Sequence, residues 1–205
     1  GWAPLSVVGY HSVSRPSLLS IAPGAPLARL HIDAHCDICE HYLGSRFHHG
    51  APFRRAVEEG LLDPRRVIQI GIRGSLNSAD MWQFSHDTGM RVVPIEELDD
   101  KGWAWAATEA RRVVGDGPAY LSFDIDSLDP AFAPGTGTPE PGGITVREAQ
   151  RLLRALDGLD FVAADLVEVS PPFDHAGMTA MSAATLLFEQ LCLLAGARRA
   201  PQSRT

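Results

Sequence analysis

The chain has 205 residues, 45% of them hydrophobic and 21% charged, which is ordinary for one globular domain with a sizeable core. A formal net charge of −7 argues against nucleic acid as the main partner, since a phosphate-binding face needs an excess of Lys and Arg, and mildly favours a small cationic ligand. No apolar run reads as long enough to cross a membrane, so no membrane partner is expected.

Short apolar runs alternate with segments of helical character. The predicted strands, in chain order, are Leu5–Val8, Ala28–Asp33, Val67–Ile72, Arg91–Pro94, Tyr120–Asp124 and Phe161–Val169. Their Val, Ile and Leu content with little alternation suits strands buried on both faces. The predicted helices are Pro52–Leu61, Gly102–Val114, Thr145–Leu156 and Thr179–Ala195. Pro52 opens the first and Gly60 lies near its end, while Thr145 and Glu148 make a capping-box pattern for the third. Pro130–Gly143 is a Pro/Gly-rich loop. Strand alternating with helix implies a three-layer α/β/α fold with a mostly parallel central sheet. One domain is expected over residues 1–197, with a frayed tail at Arg198–Thr205.

Two motifs carry the chemistry. HIDAHCD places Asp33, His35 and Asp37 at every second position after an apolar run, and SFDIDSLDP does the same with Asp124 and Asp126. In extended chain that spacing puts side chains on one face. Two such strand ends side by side pool four carboxylates and an imidazole, which cannot all stay ionised without a cation. A metal site is the reading, with two ions favoured over one. Oxygen-rich ligands with some histidine point to manganese or magnesium and away from zinc. Ligands of parallel sheets bind beyond the carboxyl ends of the strands, where both motifs fall, and Pro130–Gly143 is placed to wall the site. Cys36, Cys39 and Cys192 are too few for a disulfide framework, and the C-x-x-C they contain lacks the second pair of a zinc ribbon.

The stretches IDAHCD, HGAPFRRAVEEGLLD, VIQIGIRGS, SFDIDSLDPAFAPGTGTPEPGG and DLVEVSPPFDHAG, spread from residue 28 to 195, resemble the ureohydrolases, the family of arginase and agmatinase. GTGTPE and HGAPFRR are most like agmatinase and its guanidino-acid relatives. The family's Gly-Gly-Asp-His-Ser element appears as Val8-Gly9-Tyr10-His11-Ser12, with Tyr10 where the family has Asp.

The resemblance implies a manganese pair, two ions per chain. His11, Asp33, Asp37 and Asp124 would hold one ion and Asp33, His35, Asp124 and Asp126 the other, with Asp33 and Asp124 bridging. It implies an amidinohydrolase whose bridging hydroxide cleaves a guanidino compound, agmatine, into urea and putrescine. Glu168 would anchor the guanidinium, His49 with Asp37 would move the proton to the leaving amine, and Thr136 and Thr138 would line the pocket. Arg46, Glu40 and Asp174 are candidates for holding the substrate's tail. Guanidinobutyrate or a related guanidino acid is the alternative substrate, and a noncatalytic metal-binding relative or assembly subunit the alternative role. The resemblance further implies a homo-oligomer, trimer or hexamer, in the cytoplasm, or in the mitochondrion if a targeting segment precedes Gly1. Family members carry a substantial segment before the first histidine motif, so N-terminal edge elements of the sheet are expected to be missing and Leu5–Val8 to be an open edge.

Overall fold

The computed structural model describes residues 2–21, 24–74 and 82–199. Among them six strands form one sheet: β1 (Leu5–Val8), β2 (Leu27–Ile32), β3 (Leu62–Ile72), β4 (Arg91–Pro94), β5 (Ala119–Asp124) and β6 (Phe161–Val167). Every pairing is parallel, and the spatial order is β1-β6-β5-β2-β3-β4. All six residues of β2 and of β5 are buried. That is why these strands lack the alternation of a one-sided sheet.

Helices cover both faces. On one lie α1 (Ser14–Ile21), α2 (Pro52–Glu58) and α3 (Gln83–Thr88), whose Leu18, Phe53, Ala56 and Phe84 pack with Tyr120, Ala163 and Val92 of the sheet. On the other lie α4 (Ile95–Lys101), α5 (Trp103–Val114), α6 (Val146–Ala155) and α7 (Met178–Arg199). Leu98, Ala110, Leu152 and Leu186 pack there against Ile32, Ile70 and Phe123. This is the expected three-layer α/β/α arrangement.

Several boundaries differ from the sequence reading. Helices α1, α3 and α4 were not anticipated. Pro16 reads as a breaker, but in the first turn of α1 its missing N–H costs no hydrogen bond. α3 and α4 are only six and seven residues long, too short for a periodic signal. β3 begins five residues early, at Leu62, and carries Pro64 where the ladder to β2 skips register between Leu27 and Arg29. β6 stops at Val167, not Val169, because Glu168 turns into the left-handed region with φ 64°. The tryptophans divide: Trp82, Trp103 and Trp105 pack on the cores, but Trp2 is 99% exposed.

Among the described residues β1 pairs only with β6, so one of its sides is unpaired there. α7 extends two residues into the expected tail, with Arg198 donating to the Trp2 carbonyl; residues 200–205 lie outside the described residues. By length and composition α7, over Met178–Arg198, could cross a membrane, which corrects the expectation that no run is long enough. Its Ala183, Leu186, Leu193 and Leu194 are buried in the core, and its Glu189 is buried and ion-paired to Arg154, as in a core helix.

The capping box of α6 is fully formed. Glu148 N donates to Thr145 Oγ1 at 3.1 Å, and Thr145 N donates to Glu148 Oε2 at 2.8 Å. Thr145→Ala removes one half and should lower unfolding free energy by about 1 kcal/mol in urea titration. An unchanged midpoint would show that the cap is redundant.

Candidate metal centre

Both acidic motifs sit at the carboxyl ends of neighbouring β2 and β5. From here the chain winds one way through β3 and β4 and the other way through β6 to β1. This is the switch point where a parallel sheet opens a crevice. The side chains are gathered by turns, not by a shared strand face. β2 ends at Ile32, before Asp33, and His35 N donates to Asp33 Oδ1 at 2.6 Å. Asp37 lies at φ 53°, a left-handed position that folds the segment back. β5 ends at Asp124, and Asp126 N donates to Asp124 Oδ1 at 2.9 Å to open a 3-10 turn, Ile125–Ser127. Ala34 N donates to Asp126 Oδ1 at 3.2 Å and ties the two motifs together.

Neighbouring segments fix these turns. Gly74 N donates to Ala34 O, and a Cβ on Gly74 would run into the His35 ring. The Arg73 guanidinium donates to the carbonyls of Asp126 and Glu140 at 2.8 and 2.6 Å, clamping the turn to the Pro/Gly loop. Asp129 accepts from the amides of Ala131, Gly142 and Gly143 and so closes the turn that follows.

His11 reaches the site from a 3-10 turn just after β1 and is fully buried. Its Nδ1 lies 2.9 Å from Asp37, 3.1 Å from Asp124 and 3.4 Å from Asp33. Its Nε2 is 2.9 Å from Ser122 Oγ, whose proton goes to Asp165 Oδ1 at 2.7 Å. The Ser122 proton is thus committed, so Nε2–H donates to Ser122 and Nδ1 is the nitrogen that faces the carboxylates. That is the nitrogen a metal ion would take once its proton is displaced. Asp165, not among the expected site residues, accepts hydroxyls from Ser14, Tyr120 and Ser122 while fully buried.

The electrostatics are those of crowded anions. Burial first, then Asp126 and Asp37, raise the Asp33 pKa well above the carboxylate range. Burial, Asp126 and Asp33 do the same to Asp124. Burial works against charge on His35, but hydrogen bonds to Asp126 and Asp33 prevail and push it up to about 12. His11 is likewise raised, burial being outweighed by Asp124 and Asp37. Asp126 stays low because the bond from His35 outweighs its burial.

Two groups bring ligand atoms within 4.8 Å of one another: His11, His31 and Asp33, and Asp33, His35 and Asp126. Asp33 belongs to both. Its buried Oδ2 and His11 Nδ1 make no aligned hydrogen bond. Buried ligand atoms without partners, among carboxylates that burial strains toward protonation, fit divalent cations. His31 falls in the predicted strand Ala28–Asp33 but was not among the expected site residues. It is a fully buried residue of β2, its Nε2 2.6 Å from Asp33 Oδ2. Extending the i, i+2 alternation one step back from Asp33 would have found it.

Beside these residues lies a cleft of about 390 Å³, lined among others by His35, Asp37, Thr138, Glu140, His49 and Glu168. Glu168 Oε1 accepts from His11 N at 2.6 Å, and burial raises its pKa. His49 Nδ1 is 3.2 Å from the Tyr10 hydroxyl. Thr138 Oγ1 donates to Asp126 Oδ2 at 3.1 Å. Thr136 is buried and faces a different cleft, with Phe173 and His175, because its loop turns over between the two threonines. The expected tail-binding residues are also elsewhere. Arg46 pairs with Glu58 and Glu40 with Arg54, while Asp174 accepts from the amides of Thr179 and Ala180 at the start of α7. From that loop Tyr42 and His48 line the cleft instead. Cys39 lines it too, and all three cysteines are free thiols.

Asp165→Ala would strand three buried hydroxyl donors and loosen His11. It should cost roughly 3 kcal/mol of unfolding free energy in urea titration. A loss below about 1 kcal/mol would mean the hydroxyls find other partners.

Comparison with known proteins gives the same outline. A guanidinopropionase of Pseudomonas aeruginosa is 56% identical over 196 residues, covering 95% of this chain and 62% of that protein. A mitochondrial agmatinase of Gallus gallus is 49% identical over 199 residues, covering 97% of this chain and 58% of that protein. The solved proclavaminate amidinohydrolase of Streptomyces clavuligerus superposes with a TM-score of 0.90 at 43% identity, over 94% of this chain and 64% of that one. The chain thus spans less than two thirds of the length of these relatives. The sequence model of the arginase family matches residues 1–192, and with that match and this site the chain belongs to the arginase family.

Proposed function

We propose that these residues form the catalytic centre of a guanidino-compound hydrolase that releases urea and an amine, working with two manganese ions. The observation that carries it is the convergence of Asp33, Asp37, Asp124 and Asp126 on the imidazoles of His11 and His35 at one crevice. His11, Asp33, Asp37 and Asp124 would hold one ion; Asp33, His35, Asp124 and Asp126 the other. When bound, the pair supplies the positive charge that lets a water ionise near neutral pH. Placement of Asp33 in both ligand groups supports its role as a bridge. His31, with its Nε2 2.6 Å from Asp33 Oδ2, packs against that carboxylate and limits its movement.

The remaining chemistry belongs to the protein. Glu168 faces the cleft beside the metal ligands, and its carboxylate would receive the planar guanidinium through paired hydrogen bonds. That fixes the guanidinium carbon over the acidic floor, which is where geometry lowers the barrier. His49 at the cleft wall would deliver a proton to the departing nitrogen, with Asp37 returning it. Thr138 keeps Asp126 aligned.

The substrate's tail is the finer question. The agmatinase-like strings of the sequence favour agmatine, giving putrescine. The 56% identity to a guanidinopropionase favours a guanidino acid. None of the acids once considered for an ammonium tail, Glu40 or Asp174, lines the cleft, whereas Tyr42, His48 and His49 offer donors to a carboxylate. We therefore place guanidino acids ahead of agmatine. Assembly into a trimer or hexamer is part of the same reading, supported by the exposed Met181, Phe188 and Leu191 along α7.

Urea release from guanidinopropionate, guanidinobutyrate, agmatine and arginine tests this, with manganese counted on the same sample. Turnover of one guanidino acid with about two ions per chain is expected. Metal uptake without urea from any of the four would favour a noncatalytic relative. Asp124→Asn should cut turnover about a hundredfold or more and release metal. Full activity with full metal content in that variant would remove Asp124 from the bridge.

A further inference from the structure

One cation in the core takes no part in the chemistry just described. Arg29 on β2 is fully buried, and none of its three guanidinium nitrogens has a hydrogen-bond partner among the described residues. Its guanidinium stacks over the Phe53 ring, 2.9 Å from the centroid. The same ring meets the His11 ring edge-on at 5.0 Å and the His31 ring at 4.8 Å. A fixed charge therefore sits one aromatic ring away from a metal-ligand imidazole. Burial lowers its pKa to about 9, against the pull of Asp33, Asp37 and Asp165, so it is still a cation at neutral pH.

An unpaired guanidinium in the interior is costly, and stacking on an aromatic face offsets only part of that. What remains to compensate it is the surplus of negative charge at the head of β2 and β5. We propose that Arg29 is a built-in counter-charge for the carboxylate cluster, a positioning residue that weakens the protein's hold on divalent metal. Each incoming dication must enter the field of this cation through weakly screening interior, while in the metal-free protein the same cation steadies the crowded carboxylates. The site is thereby tuned to hold its metal loosely and to survive without it. This rests on the metal-binding reading of the site, but not on turnover.

The test is manganese affinity by chelator competition, with free manganese followed by electron paramagnetic resonance. Arg29→Met keeps length and loses charge, and should bind manganese about tenfold or more tightly than wild type. Its melting temperature should rise further on metal loading than that of wild type. Arg29→Lys, which keeps the charge, should stay within about threefold of wild type. If Arg29→Met does not fold, Arg29→Gln carries the same expectation. Unchanged or weaker affinity in the neutral variant overturns the proposal. A wild-type protein that takes up no manganese overturns the metal reading, and this inference with it.

Discussion

Repulsion among buried carboxylates is the constraint around which this molecule is arranged. Asp33, Asp124 and Asp126 are each nearly or fully buried, within reach of one another, and burial works against charge on every one. A fold keeps such a cluster only if positive charge and hydrogen bonds are aimed at it. The chain supplies imidazoles from three directions: His11 from beyond β1, His31 from within β2, and His35 from the turn after it. The parallel sheet matters because it brings these strand ends to one edge with backbone amides facing the acids.

Behind that front lies a second layer with its own logic. Asp165 gathers three hydroxyls, and through Ser122 it sets which nitrogen of His11 faces the acids. Tyr10 departs from the family's Asp, yet the orientation of His11 does not depend on it: the ring is fixed from below by Ser122 and by Phe53. The side chain of Tyr10 turns outward to His49.

The sequence was most legible where chemistry and local pattern coincide. The six apolar strands, the capping box of α6 and the two acidic motifs were all readable, because each is encoded within a few residues. The pooling of carboxylates was anticipated for an incomplete reason: alternation in extended chain was invoked, whereas a left-handed Asp37 and a 3-10 turn do the gathering. Asp165 left no local trace, since its partners stand 43, 45 and 151 residues away in sequence. Thr136 and Thr138 differ by two positions, yet only a three-dimensional loop path decides which one meets the cleft. Arg29 had no signature at all in a strand otherwise read as apolar.

The sheet order has a consequence for how the protein comes into being. Among the described residues β1 pairs with β6 and with no other strand, and His11 follows β1 closely while Glu168 follows β6. During synthesis the first strand leaves the ribosome long before the one that must receive it. Its four residues and the turn behind them then wait with exposed backbone groups until position 167 has emerged. The pairings of β2 with β3, β3 with β4 and β2 with β5 need only residues up to 124 and can form earlier. The reactive crevice therefore closes only after β6 has emerged, when His11 behind β1 can meet the acids at the ends of β2 and β5.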